Sequence, residues 1–186
     1  MFKIIFIHGY TASSKADWYP SISKELDKLS IDYSIPDLPG GEHPHAAEWI
    51  ERIHEEVLKT DKPLILVGHS LGTRAVLLYL EKYPRRVEKV FLIAAFSNDP
   101  KNGQRHDGET YPDFFTHTID LEKIKSLVDQ FIVIHSKDDS SIPYEQGKQI
   151  AQELKAKFIT ANQRDHLSSV DNTQYILQKI EEELGI

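Results

Sequence analysis

The chain predicts an α/β fold in which about six mostly parallel strands are flanked by helices in a single domain spanning residues 1–186. Two features carry that expectation. Short runs rich in Ile, Val, Leu and Phe alternate with amphipathic stretches, and the runs are continuous enough to be strands buried on both faces. One strand-to-helix junction, Gly68-His69-Ser70-Leu71-Gly72, sets a serine between glycines at the edge of the sheet where parallel folds bind ligands.

The elements follow in order. Phe2 to Ile7 is the first strand and ends at His8-Gly9; it is too short for a secretory signal and has no cleavage pattern, so a cytoplasmic protein is expected. Trp18 to Leu29 reads as a helix, Ile31 to Ile35 as a strand and Ala46 to Lys59 as a helix. Leu64 to Val67 and Leu71 to Lys82 are the strand and helix around Ser70, and Val90 to Ala95 is the fourth strand. Ser97 to Thr118 breaks the alternation: it contains Pro100, Gly103, Gly108 and Pro112 and is longer than most connections in a compact domain, which suggests a lid or binding loop. The alternation then resumes with helix Leu121 to Val128, strand Phe131 to His135, helix Tyr144 to Leu154 behind Pro143, strand Lys157 to Thr160 and helix Thr173 to Leu184.

Composition narrows the function classes. With 186 residues the chain buries a sizeable core, and 40% apolar with 27% charged residues is ordinary for a globular protein. No apolar run approaches the length of a membrane span. A formal charge of −7 without a dense Lys/Arg cluster argues against nucleic acid and leaves open a neutral or positively charged substrate. The absence of cysteine removes disulfides, thiolate metal sites and a cysteine nucleophile, so covalent catalysis would need another residue.

Ser70 is that residue, because a serine held on a sharp turn between strand and helix has an exposed hydroxyl, with Gly68 and Gly72 where Cβ atoms would collide. The bland alternative is a glycine-rich turn with Ser70 capping the helix. A serine hydroxyl needs a histidine to take its proton and a carboxylate to orient that histidine. His166, in the loop after the last strand, is the expected base. Activity should then rise with pH as His166 loses its proton. His8 and His69 flank the site and read as supports of their own loops, while His43 and His45 would need partners elsewhere to bind a metal, so no metal is expected. For the acid, Asp139 is preferred over Asp138 because the Asp-x-x-Ile-Pro spacing from Asp139 to Ile142-Pro143 resembles that of hydrolase loops; Asp138 then becomes a turn or capping residue, Asp99 is a weaker rival, and the bland alternative is that both aspartates cap the following turn. The backbone N–H groups of Tyr10 and Leu71 stand where an oxyanion would need donors. Trp18, Tyr111, Phe114 and Phe115 are candidates to wall an apolar acyl pocket beside Ser70, against the equal alternative that they anchor their loops to the core.

Together, Ile7-His8-Gly9-Tyr10, Gly68-His69-Ser70-Leu71-Gly72, Asp139 with Ile142-Pro143, and His166 resemble an α/β-hydrolase with its triad in the order Ser, Asp, His. Trp18-Tyr19-Pro20 and Lys137-Asp138-Asp139 are similar, more narrowly, to the small serine hydrolases related to retinoblastoma-binding protein nine and the bacterial YdeN proteins. The resemblance implies a minimal core without a large cap domain, and carboxylesterase-like or related acyl hydrolysis that needs no cofactor. It departs from that family at Asp165, where many relatives carry glycine before the histidine, and the retinoblastoma-pocket motif Leu-x-Cys-x-Glu is impossible without cysteine. The expected partner is a small acyl substrate, neither nucleic acid nor membrane; the alternatives are an acyltransferase or thioesterase with the same triad, or a non-catalytic binding protein on the same scaffold.

Overall fold

The computed structural model describes residues 1–96 and 112–186. Six strands form one sheet in the order β2-β1-β3-β4-β5-β6, every neighbouring pair parallel: β1 (Lys3–Ile7), β2 (Asp32–Ser34), β3 (Leu64–His69), β4 (Val87–Ile93), β5 (Val128–Ser136) and β6 (Lys157–Ala161). Parallel strands need long crossovers, and six helices supply or follow them: α1 (Tyr19–Lys28), α2 (Ala46–Val57), α3 (Leu71–Lys82), α4 (Leu121–Lys125), α5 (Tyr144–Leu154) and α6 (Thr173–Leu184). The expected mostly parallel sheet is wholly parallel in the described chain.

Because strand side chains alternate between faces, each apolar run feeds two cores. Ile5, Ile7, Leu66, Val90 and Val133 pack with Trp49 and Ile53 of α2, Val76 of α3 and Ile150 of α5. Ile4, Phe6, Val67, Phe91 and Ile132 pack on the opposite face with Tyr19 and Ile22 of α1 and Ile176 and Ile180 of α6. The carboxyl ends of β1, β3, β5 and β6 therefore lie along one edge of the sheet, with that of β4 between β3 and β5, each followed by a loop. No helix among the described residues is long and apolar enough to cross a membrane.

Most boundaries match the sequence reading within a few residues; α3, α5 and α6 match it at both ends. The helix expected from Leu121 to Val128 stops at Lys125, because Val128 is claimed by the sheet, opposite Val87. Of the loop expected from Ser97 to Thr118, residues 97–111 lie outside the described chain, and with them Asp99 and Tyr111. Pro112–Phe115 forms a single 3-10 turn whose Asp113 Oδ2 accepts from the N–H of Ala46 at the start of α2, at 2.8 Å.

Candidate active site

Ser70 sits between β3 and α3 with φ 52° and ψ −123°, a conformation that L side chains rarely adopt. The turn is sharp because the chain is compressed there. A Cβ on Gly68 would stand 2.8 Å from the Gly72 carbonyl oxygen, and one on Gly72 would stand 2.2 Å from that of Ile7. The Ser70 N–H donates to Ile93 O at 2.9 Å, which ties the turn to β4.

The other two groups arrive on loops fixed from several sides. After β5, Asp139 closes its own turn: Oδ1 accepts from the N–H groups of Ser141 and Ile142 at 2.8 and 2.7 Å. After β6, the loop carrying His166 places three non-glycine residues at positive φ, Gln163, Asp165 and Leu167. Asp165, at φ 46°, occupies a conformation in which glycine is the ordinary choice and Asp a tolerated substitute. The loop is clamped where Asp138 accepts from Arg164 and Asp165 N–H at 3.3 Å, and where Asp165 Oδ1 accepts from Ser140 N–H at 2.9 Å. Asp138 is thus more than the turn residue expected of it: it joins the β5 loop to the β6 loop.

The loops bring three predicted residues into contact. Ser70 Oγ donates to His166 Nε2 at 2.9 Å, and His166 Nδ1 donates to both carboxylate oxygens of Asp139 at 3.0 Å. Ser70 and His166 are buried but for 3% and 8% of their surface, and the Asp139 side chain is wholly buried. Burial pushes the Asp139 carboxyl up, yet hydrogen bonds from His135 and His166, the charge of His166 and the Ile142 N–H outweigh it and hold the group well below the usual carboxylate range.

His8 supports the loop that carries it, as expected, whereas His69 supports the His166 loop instead of its own. His8 Nδ1 donates to Gly9 O at 2.9 Å while its Nε2 accepts from Leu38 N–H at 3.0 Å. His69 Nε2 donates to His166 O at 2.9 Å; burial, with His166 beside it, brings the His69 imidazole down to about 3. Trp18 adds a further tie, its indole N–H donating to Leu167 O at 2.9 Å.

Around Ser70 and His166 lies a cleft of about 290 Å³ bordered by Tyr10, Thr11, Asp17, Ser141, Asp165 and Ser168. None of its described lining residues is Lys or Arg. Asp17 is half-buried with φ 52°, and burial raises its carboxyl above the ordinary value despite the opposing pull of His166. Leu71 opens α3, so its N–H has no acceptor within the helix.

Of the four aromatic residues weighed as a wall or as anchors, three are described. Trp18 is fully buried beside Phe6 and Tyr19 in one core, and Phe114 is fully buried edge-on to Trp49 in the other, centroids 5.2 Å apart. Phe115 stacks on Phe96 under the Arg74 guanidinium, whose Nε donates to Phe114 O at 2.8 Å. These three rings therefore anchor their segments instead of lining the described cleft, since apolar burial in a core outweighs exposure at a polar edge. Two residues at the site escaped the sequence reading. Asp17 sits in a stretch without periodicity, and His135 is submerged in an apolar strand although its Nε2 lies 3.3 Å from Asp139 Oδ2. Among the described residues no group of three or more His, Cys, Asp or Glu is placed to hold a metal.

The family model described as serine hydrolase matches residues 4–177. The chain is 28% identical over 166 residues to YdeN of Bacillus subtilis, covering 88% of this chain and 85% of that protein. The crystal structure of YdeN superimposes with a TM-score of 0.83 at 25% identity over 96% of this chain and 98% of that one. Serine hydrolase RBBP9 of Rattus norvegicus is 24% identical over 155 residues, 83% of this chain and 80% of its own. Est1E of Butyrivibrio proteoclasticus, at 15% identity, shares the fold with a TM-score of 0.76 over 98% of this chain and 86% of that one. With its parallel six-stranded sheet, its Ser70 turn and a family match over residues 4–177, the chain is a member of the serine hydrolase family, on an α/β-hydrolase fold.

Proposed function

We propose that the protein hydrolyses a carboxylic ester or related acyl substrate through an acyl-enzyme on Ser70. The observation that carries this reading is the continuous relay from Ser70 Oγ through both nitrogens of His166 to Asp139. Ser70 Oγ attacks the acyl carbonyl as His166 Nε2 takes its proton; the same imidazolium then protonates the departing alcohol. Water then attacks the acyl-enzyme carbonyl as His166 Nε2 takes its proton, and His166 returns that proton to Ser70 Oγ as the bond between Oγ and the acyl carbon breaks and the carboxylic acid leaves. Asp139 fixes the proton on Nδ1 and stabilises the transient imidazolium without itself becoming protonated. The N–H groups of Leu71 and Tyr10 are assigned to the oxyanion, Leu71 because the helix leaves its donor free.

The polar cleft favours short, polar acyl groups over long hydrocarbon chains. Asp17 and Asp165 at its border, with no Lys or Arg among the described lining, disfavour anionic substrates. The test is labelling of the purified protein by a fluorophosphonate, with mass mapping of the adduct and Ser70→Ala and His166→Ala as controls. Adduct on Ser70 that disappears in both variants, together with ester turnover lost in both, is expected. A folded Ser70→Ala protein that hydrolyses activated esters as fast as the parent would overturn the reading, and an unlabelled parent would favour a binding role.

A further inference from the structure

We infer that His135 is a positioning residue of this site, holding the Asp139 carboxylate from the strand side so that it stays aligned on His166. The inference rests on the serine-hydrolase reading. His135 lies near the end of β5 and is fully buried. Its Nε2 faces two acceptors, Ile142 O at 3.1 Å and Asp139 Oδ2 at 3.3 Å, so the ring proton belongs on that nitrogen. Ile142 in turn gives its N–H to Asp139 Oδ1 at 2.7 Å. The imidazole thus steadies both the turn that holds one carboxylate oxygen and the second oxygen directly. Among the described residues Oδ2 meets only His166 and His135. His166 gains and loses a proton in the proposed cycle, which leaves His135 as the fixed group on that side.

The surroundings of the ring show that stability alone does not account for it. Nδ1 of His135 is buried without a hydrogen-bond partner, an arrangement that forfeits the water of a polar atom for no return. Gly147 stands in the interior of α5, where glycine is the poorest helix former after proline. Its absence of a side chain is what admits the ring: a Cβ there would lie 2.1 Å from His135 Nδ1 and 2.6 Å from Cγ. Tyr144 closes the remaining side edge-on, with centroids 6.0 Å apart. A leucine at 135 facing an alanine at 147 would remove the orphaned nitrogen and the helix glycine together. Two local costs at one point, converging on the carboxylate that aligns His166, mark a requirement of the site.

The test measures kcat and KM for p-nitrophenyl acetate, the rate of fluorophosphonate labelling and urea stability in His135→Leu, His135→Gln and Gly147→Ala. His135→Leu is expected to lower kcat about tenfold, the low end for a hydrogen bond to a charged group, with KM little changed and labelling slowed in parallel. His135→Gln restores most of the rate, because its amide N–H reaches the place of Nε2. Gly147→Ala slows turnover although it removes no polar group. In an Asp139→Asn background His135→Leu adds nothing further. A folded His135→Leu protein with the parent's kcat, or rate losses in the Leu and Gln variants that merely follow lost stability, would overturn the inference. A parent lacking Ser70-dependent turnover would instead overturn the hydrolase reading on which it stands.

Discussion

Replacing Gly72 by alanine sets two forces against each other at the start of α3. By helix propensity the change is favourable, since alanine is better than glycine in a helix by about 1 kcal/mol. The structure predicts the opposite sign. A Cβ at position 72 would lie 2.2 Å from Ile7 O and 2.6 Å from His8 O, well inside the 3.0 Å that real Cβ atoms essentially never breach. Both obstacles are backbone, and they belong to the end of β1 and the loop that carries Gly9 and Tyr10, so no side chain can swing aside. Relief requires α3 to move away from the sheet, and such overpacking costs typically 1–3 kcal/mol or more. A backbone clash at 2.2 Å belongs in the upper part of that range, about 2–3 kcal/mol, so after the propensity gain the net expectation is a loss of roughly 1–2 kcal/mol, with the urea midpoint lowered at unchanged slope. The same geometry ranks neighbouring sites: Gly68→Ala meets backbone at 2.8 Å, and Gly9→Ala meets nothing nearer than Ser70 Cβ at 3.1 Å and His69 O at 3.3 Å, so damage should fall in the order Gly72, Gly68, Gly9. Urea unfolding with parallel fluorophosphonate labelling reads both fold and turn. A Gly72→Ala protein at or above the parent's midpoint would refute the reasoning.

Acid should act first through His69. Its folded imidazole is held down to about 3 while the unfolded chain takes up a proton near 6.5, so stability is intact above that value and declines as pH falls toward 3, by an amount approaching roughly 5 kcal/mol. His69→Gln should flatten urea midpoints measured between pH 6.5 and 4, above the window in which Asp139 loses its contribution; an unaltered slope would contradict the assignment. Asp17→Asn should reduce the preference for a cationic over an anionic ester of matched size by about tenfold, a charge effect read from kcat/KM, while leaving a neutral ester within a few-fold. Trp18→Phe leaves Leu167 O without its donor and should cost about 1–3 kcal/mol in urea, slowing Ser70 labelling as the His166 loop loosens.

The elements most legible in the sequence are those whose boundaries are set by local chemistry. Helix α3 begins where the Ser70 turn forces it to begin, and α5 begins behind Pro143. The Asp-x-x-Ile-Pro spacing favours Asp139 over Asp138, and in the structure one Asp139 carboxylate oxygen accepts the successive N–H groups of Ser141 and Ile142. The aromatic wall was not legible for a related reason. Ring size and loop position are the same for a residue lining a cleft and for one anchoring its loop, and only the packing of Trp18 on Phe6 and of Phe114 on Trp49 decides between them.

What a single sequence conceals best is a polar group hidden in an apolar run. His135 follows directly on Phe131 to Ile134 without changing how the segment reads as a strand, and Gly147 looks like a flaw in an otherwise regular helix. Neither residue is informative alone, because their significance lies in a contact between positions twelve residues apart that exists only once β5 and α5 are packed. A breach of local preference on one element acquires meaning when the neighbouring element breaches its own preference to accommodate it. Here the two meet beside the one carboxylate whose alignment the His166 relay requires.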